Sequence, residues 1–221
     1  MRNLEKELRQ GLADLSLALS DTQVSHLLDY LELIQKWTKV YNLTSVRDPA
    51  EMLTHHLLDS LAVIAPLRRQ LSGMNAGVPV LKAKLLDVGS GAGLPGIVIA
   101  ICCPEVAVDC VDTVAKKAAF IRQVAATLRL PNLRGLHARV ESLTDKYDIV
   151  SSRAFASLLD FTNWSQAALA EQSVWMAMKA KHPAEEITAL PATVNVFHVE
   201  QLTVPGLDAE RCILWLRKVA V

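Results

Sequence analysis

No charge of either sign predominates in this chain: Lys plus Arg and Asp plus Glu each number 23 in 221 residues, for a formal net charge of zero. There is therefore no global basic field to draw in nucleic acid, and any such contact must use a local patch. Cysteine is scarce as well. The four are Cys102, Cys103, Cys110 and Cys212, none in C-x-x-C spacing, which argues against a zinc site or a redox pair. Lying in apolar stretches, they read as small buried hydrophobes. H-E-x-x-H is missing too, and His55, His56 and Asp59 have no evident third ligand nearby. No metal is expected, and these three read as polar contacts to a neighbouring link or to the rest of the fold. The chain shows no cleavable leader pattern and no apolar run long enough to span a bilayer. A cytoplasmic, thiol-reduced protein is the expectation.

What the chain does have is Leu85-Leu86-Asp87-Val88-Gly89-Ser90-Gly91-Ala92-Gly93-Leu94-Pro95-Gly96. Val78, Val80, Leu81, Leu85, Leu86 and Val88 form an apolar lead-in that predicts a buried strand. Ile97-Val98-Ile99-Ala100-Ile101 predicts a buried helix after the turn. Glycines at alternate positions allow positive φ and close approach of a ligand. The free N–H groups of the following helix would then lie beneath that ligand. The segment also satisfies G-x-G-x-x-G, a weak signal for a dinucleotide when it stands alone. Asp87 at the strand's end points elsewhere, because a pyrophosphate gains nothing from an added negative charge. A carboxylate there suits the ammonium and sulfonium of S-adenosylmethionine. Asp112 closes the next apolar strand, Val106 to Val111, and is placed to hold ribose hydroxyls. It fits either cofactor, so the discrimination rests mostly on Asp87.

Residues 1–72 read as a helical extension and 73–221 as an α/β domain. Ser20-Asp21-Thr22-Gln23 is a capping box, followed by Val24, Leu27, Leu28, Leu31 and Ile34 at helical spacing. Asp48-Pro49-Ala50-Glu51 is a second helix start. Val40 to Arg47 forms a polar link between them, and Ser72 to Pro79 reads as a flexible joint. Strands and helices then alternate, which argues for a mostly parallel sheet with helices on both faces. Val114–Leu130 reads as a helix and Leu133–Ala138 as a strand. Tyr147–Val150 is the next strand, Ser157–Ala170 a helix, Val174–Met178 a strand and Pro183–Leu190 a short helix. Val194–Val199 and Cys212–Leu216 read as an antiparallel closing pair, since the turn between them is too short for a crossover. Ligands of open α/β sheets bind outside the carboxyl ends of the strands. Asp87 with the glycines, Asp112, Arg139-Val140-Glu141, Arg153 and Lys179 all fall at that edge.

Beyond the glycine turn, several segments resemble one family. They are Tyr41-Asn42-Leu43-Thr44 with Arg47-Asp48-Pro49, His56 to Leu61, Leu86 to Gly96, Val111-Asp112, Lys116 to Leu130, Arg139-Val140-Glu141 and Ser152 to Ala156. Together they span about residues 20–217 and resemble the glucose-inhibited division protein B family, bacterial 16S ribosomal RNA guanine-N7 methyltransferases. The resemblance implies a Rossmann-like class I methyltransferase fold, with a mostly parallel seven-stranded sheet and an antiparallel last strand. It implies S-adenosylmethionine as cofactor, a guanine in the decoding region of the small subunit as target, and a monomer without membrane or metal. By that similarity Gly89 and Leu94 contact the cofactor, Val140 and Glu141 flank the adenine, and Arg153 sits beside the cofactor at the reaction centre. Asp87, Gly91, Gly93 and Asp112 complete the expected cofactor set. Lys179 and Arg211 match basic positions that face the RNA side. One departure is Ala180, where the family has glycine after the lysine.

Guanine N7 carries a free lone pair and needs no general base, so positioning and electrostatics would carry the reaction. No cysteine stands at the edge of the fourth or fifth strand, as cytosine-C5 methylation would need. Ser151-Ser152-Arg153-Ala154 replaces the Asn/Asp-Pro-Pro-Tyr/Phe expected of an exocyclic-amine methyltransferase. N7 is inaccessible in a deep A-form groove, so the target should be a loop or splayed nucleotide. Arg47 in the link would help grip it. The competing readings are a small-molecule methyltransferase capped by the helical extension, a non-catalytic ribosome-assembly factor, and a dehydrogenase.

Overall fold

The computed structural model describes residues 2–74 and 83–219. The predicted lead-in residues Val78, Val80 and Leu81, and the later part of the predicted joint, lie outside the described residues. The joint's first residues, Ser72 to Met74, are helical.

Among the described residues, five helices come first. They are α1 (Arg2–Asp14), α2 (Asp21–Tyr41), α3 (Pro49–Met52), α4 (Asp59–Leu61) and α5 (Ile64–Met74), with a π-helical turn at Leu53–Leu58 between α3 and α4. Ser20 caps α2 as predicted: its hydroxyl accepts from the Gln23 N–H while the Gln23 side chain accepts from the Ser20 N–H. Such a box contributes ~1 kcal/mol. Asp48 caps α3 through the Ala50 and Glu51 N–H groups.

Seven strands follow in the described residues, with four more α-helices between them. In order they are β1 (Lys84–Val88), α6 (Gly96–Cys102), β2 (Ala107–Asp112), α7 (Ala115–Thr127), β3 (Leu133–His137), β4 (Tyr147–Arg153), α8 (Leu158–Ser165), β5 (Leu169–Lys179), α9 (Ala184–Thr188), β6 (Val194–Leu202) and β7 (Arg211–Lys218). The sheet order is β3-β2-β1-β4-β5-β7-β6, with β7 antiparallel to both its neighbours. The carboxyl ends of β1, β2, β4 and β5 therefore share one edge, and the antiparallel β7 brings its first residue, Arg211, to the same edge.

Among the boundaries that differ from the sequence expectation, two bear on the site. β4 continues through Ser151 and Ser152 to Arg153, because those small side chains fit between Asp87-Val88 on one side and Met176-Ala177 on the other. The helix expected over 157–170 ends at Ser165, and Leu169 pairs with Tyr147 to begin β5. Ala167-Ala168-Leu169-Ala170 favours a helix locally, but pairing of Leu169 with the central strand β4 prevails over propensity. The irregular register there coincides with Gln172 at φ 62°.

The helical extension is not a detached appendage. One apolar cluster runs from Leu8 and Leu27 through Ile97 and Phe120 to Ile213. The last carbonyls of the fully buried α6, left without helical partners, accept hydrogen bonds from the extension. Gln23 Nε2 reaches the Ile101 carbonyl and Arg68 Nη2 the Cys102 carbonyl, each at 2.9 Å.

Candidate active site

The glycine turn is held from three sides. Gly89 N–H donates to the Val111 carbonyl, Gly91 N–H to Asp112 Oδ2 at 3.1 Å, and Tyr30 of α2 donates its hydroxyl to the Ala92 carbonyl at 2.7 Å. Gly89, Gly91 and Gly93 all have positive φ. Their surroundings differ. A Cβ on Gly89 would strike the Phe155 ring, one on Gly93 would strike Ile97, and one on Gly91 would meet nothing nearer than 4.0 Å. Gly91 thus leaves a cradle that a side chain would fill, whereas Gly93, expected to bind cofactor, faces the core and serves packing.

Asp87 departs from expectation in the same way. It is fully buried beneath the turn, where it accepts from the Gly96 N–H at 3.0 Å and from Ser151 Oγ at 3.0 Å. It lines neither of the cavities described below. The Gly96 N–H, expected to be free beneath a ligand, is used by Asp87. Burial pushes the Asp87 carboxyl up to about 7, against the pull of the Gly96 N–H, Ser151 and Arg153. Its charge at neutral pH is therefore partial, and its visible role is to brace the turn.

His56 shifts the opposite way. It is 6 % exposed, its Nε2 lies 2.9 Å from Thr44 Oγ1, and burial together with the Arg153 charge lowers it to about 4. The folded state holds the Asp87 proton more tightly than the unfolded chain, so that contribution to stability is lost as pH rises through about 7. The unfolded chain holds the His56 proton more tightly, so stability is lost as pH falls from 6.5 toward 4. The two largely cancel between pH 5 and 8. Asp87→Asn removes the falling limb, so its stability should rise by about 2 kcal/mol from pH 5 to 8 relative to wild type. Urea midpoints at pH 5, 6, 7 and 8 check this; parallel curves for the two proteins would show that Asp87 is not protonated in the fold.

Two cavities open at the sheet edge. The first, about 450 Å³, is lined by Gly89, Asp112, Val114, Val140, Glu141, Phe155 and Trp164 among others. Asp112 is 6 % exposed and accepts from the Gly91 and Val114 N–H groups, with Lys117 at 3.5 Å. A carboxylate has lone pairs beyond those two bonds, so it can still accept from a ribose. The size, the acid and the apolar flank at Val140 fit an adenosine moiety. Phe155 and Trp164, an edge-on aromatic pair with centroids 5.9 Å apart, wall this cavity; Phe155 lay in the family-like segment Ser152 to Ala156 without an assigned role, and Trp164 had no signal in the sequence.

The second cavity, about 610 Å³, adjoins the first at Gly89 and Ala154. Its lining includes Leu43 to Val46, His55, His56, Asp59, Gly91, Leu94, Arg153, Lys179, Ala180 and Arg211. The three predicted cations thus come together here, and each is paired. Arg153 Nη1 and Arg211 Nε each lie 2.7 Å from one oxygen of Asp59. Lys179 Nζ donates to Glu186 of α9 at 2.8 Å and to the Ala156 carbonyl at 2.9 Å. Glu186 in turn accepts from the Leu158 N–H, so Lys179 also buttresses the loop carrying Phe155. Asp59 lay in the family-like segment and was read as a polar contact to the link or to the rest of the fold, which these two pairs are, though its arginine partners were not foreseen; Glu186 carried no signal at all. Ala180 is not among the positive-φ residues, so its methyl is accommodated without backbone strain.

Arg47, expected at the RNA side, donates instead to the Thr38 carbonyl and to Asn42 Oδ1 and so ties off the end of α2. Burial pushes the Cys103 thiol up to about 11 and raises those of Cys102, Cys110 and Cys212 as well, so none is poised as a nucleophile. Among the described residues no group of three or more His, Cys, Asp or Glu could hold a metal, and no helix is long and apolar enough to cross a membrane.

A seven-stranded sheet with one antiparallel strand next to an edge, a glycine turn after β1 and an acid closing β2 defines a class I S-adenosylmethionine-dependent methyltransferase. Solved structures agree on the fold. TrmN from Thermus thermophilus matches with TM-score 0.54 and 18% identity over 76% of this chain and 53% of that one. Coclaurine N-methyltransferase bound to N-methylheliamine and SAH matches with TM-score 0.52 and 10% identity over 91% and 73%. The sequence narrows the class. A family profile described as rRNA small subunit methyltransferase G matches residues 23–214. A protein named ribosomal RNA small subunit methyltransferase G from Albidiferax ferrireducens is 72% identical over 100% of both chains. One of the same name from Polaromonas sp. is 69% identical over 98% of this chain and 95% of that one. The chain belongs to the rRNA small subunit methyltransferase G family.

Proposed function

We propose that this protein transfers a methyl group from S-adenosylmethionine to N7 of a guanine in 16S ribosomal RNA of the small subunit. The observation that carries the reading is the pair of cavities meeting at Gly89 and Ala154, one suited to adenosine and the other lined by cations. When bound, S-adenosylmethionine supplies an electrophilic methyl on a sulfonium. Asp112, Val140 and Glu141 would hold its adenosine, and Gly89, Gly91 and Leu94 would let its methionine end lie along the turn. The second cavity would receive the guanine, with Arg153, Arg211 and Lys179 fixing it and its backbone. The Asp59 carboxylate is taken by two guanidiniums and the His56 imidazole stays neutral above about pH 4. That environment suits attack by a lone pair that needs no proton removed, so orientation and electrostatics supply the rate.

Zero net charge and the engagement of Arg47 in the fold favour a folded or protein-bound substrate over naked RNA. We read residues 1–72 and 73–221 as organisational units that share a core and act as one catalytic body in the cytoplasm, and the protein as a monomer. The test is transfer of labelled methyl to small subunits lacking base modification, with naked 16S RNA alongside and the labelled nucleoside identified. Label in 7-methylguanosine on the subunit is the expected result. Label on another atom, or none with cofactor bound, would reject the reading.

A further inference from the structure

Asp59 follows the π-helical turn Leu53–Leu58, a rare departure from the helix that often marks functional sites. It is 3 % exposed, yet it comes from the helical extension and reaches two different strands of the sheet. Arg153 ends β4 and Arg211 begins β7; β5 lies between them, with Arg153 opposite Met178 and Lys179 opposite Cys212. Neighbouring strands are ~4.8 Å apart, so the two arginine backbones stand about two strand spacings from one another. Left alone, two guanidiniums facing the same cavity repel and adopt many rotamers. Each instead meets one oxygen of the same carboxylate at 2.7 Å, and Arg153 Nη1 also donates to the His55 carbonyl at 3.1 Å.

This pairing leaves particular donors over. Arg211 Nη1 is used by the Glu210 carbonyl, which leaves its Nη2 without a partner among the described residues, as are Arg153 Nε and Nη2. Both side chains are 21–22 % exposed on the lining of the second cavity. Two cations on one anion leave a net charge of +1 at that wall. A carboxylate that merely joined the extension to the sheet would need only one of these partners.

We propose that Asp59 is a positioning residue that locks Arg153 and Arg211 into one fixed, singly charged donor pair for a phosphodiester beside the target base. The inference rests on the rRNA-methylating reading given above. Neutralising Asp59 frees both guanidiniums and raises the local charge to +2. Asn has one acceptor oxygen, and its amide faces the second guanidinium donor to donor. Substrate attraction should therefore be kept or strengthened while alignment is lost.

The experiment is steady-state methylation of small subunits by wild type, Asp59→Asn, Arg211→Ala and the double variant, with cofactor affinity measured separately. Asp59→Asn should lower kcat about 100-fold, with KM for the subunit unchanged or lower, steeper salt dependence of KM and unchanged cofactor affinity. The double variant should be no more than about threefold worse than the poorer single variant, because the residues act as one unit. A purely structural role would instead lower thermal stability and the active fraction without moving KM or its salt dependence. Asp59→Glu keeps the buried charge but shifts it by a methylene, and should fold with an intermediate kcat. Wild-type kcat in Asp59→Glu, or losses that multiply in the double variant, would overturn the proposal alone. Failure of wild type to methylate subunits would overturn the reading beneath it and the proposal together.

Discussion

Arg153→Ala is expected to lower methyl transfer to small subunits about 100-fold or more while leaving S-adenosylmethionine affinity within about threefold. The asymmetry follows from placement. Arg153 lines the second cavity and not the first, so its loss removes a charge from the side where the target would lie. It also leaves the nearly dry Asp59 carboxylate with only Arg211. Breaking one member of a buried charge cluster typically costs a few kcal/mol, so thermal stability should fall as well. Arg153→Lys should rescue little, since an ammonium that takes over both Nη1 bonds, to Asp59 and to the His55 carbonyl, puts nothing in place of the unpartnered Nε and Nη2 donors. Isothermal titration with the cofactor, beside single-turnover methylation, separates the two effects. Weak cofactor binding with normal turnover at saturating cofactor would make Arg153 a cofactor ligand, as the family resemblance implied, rather than a target-positioning group.

The second large effect is at the turn. Gly89→Ala should abolish measurable cofactor binding, a loss of about 30-fold or more. Two costs add. The residue sits at φ 65°, where a non-glycine side chain costs about 1–2 kcal/mol. The new methyl also drives into the Phe155 ring at the junction of both cavities. Gly91→Ala is the comparison: it shares the positive φ, but its methyl finds open space in the fold. It should cost about 1–2 kcal/mol of stability without distorting the turn. Phe155→Ala in the Gly89→Ala background should recover part of the lost stability, read as a melting temperature. If it recovers none, the backbone strain alone accounts for the loss.

Much of the frame was legible because it is local. The capping box at Ser20, the cap at Asp48, the glycine turn and the alternation of strands and helices are short-range patterns fixed by backbone sterics and periodicity. They led to the fold class and, with the family-like segments, to the methyltransferase reading. Asp112, Val140 and Glu141 could be placed together at one edge because the ends of parallel strands share it, and they line one cavity there.

The tertiary structure decided which side each polar group serves. Asp87 and Gly93 have the residue types of ligand contacts but face inward, because β4 packs Ser151 against Asp87 and α6 presents Ile97 to Gly93. The strand-edge rule gave Arg153 and Lys179, and the family resemblance Arg211, with no partner assigned to any of them. Only the fold brings Asp59, 94 and 152 positions away, to the two arginines, and Glu186 to the lysine. The end of α8 and the start of β5 were likewise set by pairing with Tyr147 and not by local preference. The sequence by itself determined the elements, their order and the chemistry available at one edge. The packing of the helical extension onto that edge decided which charges remain to act, because the balance of ion pairs depends on distances across the fold that no local pattern encodes.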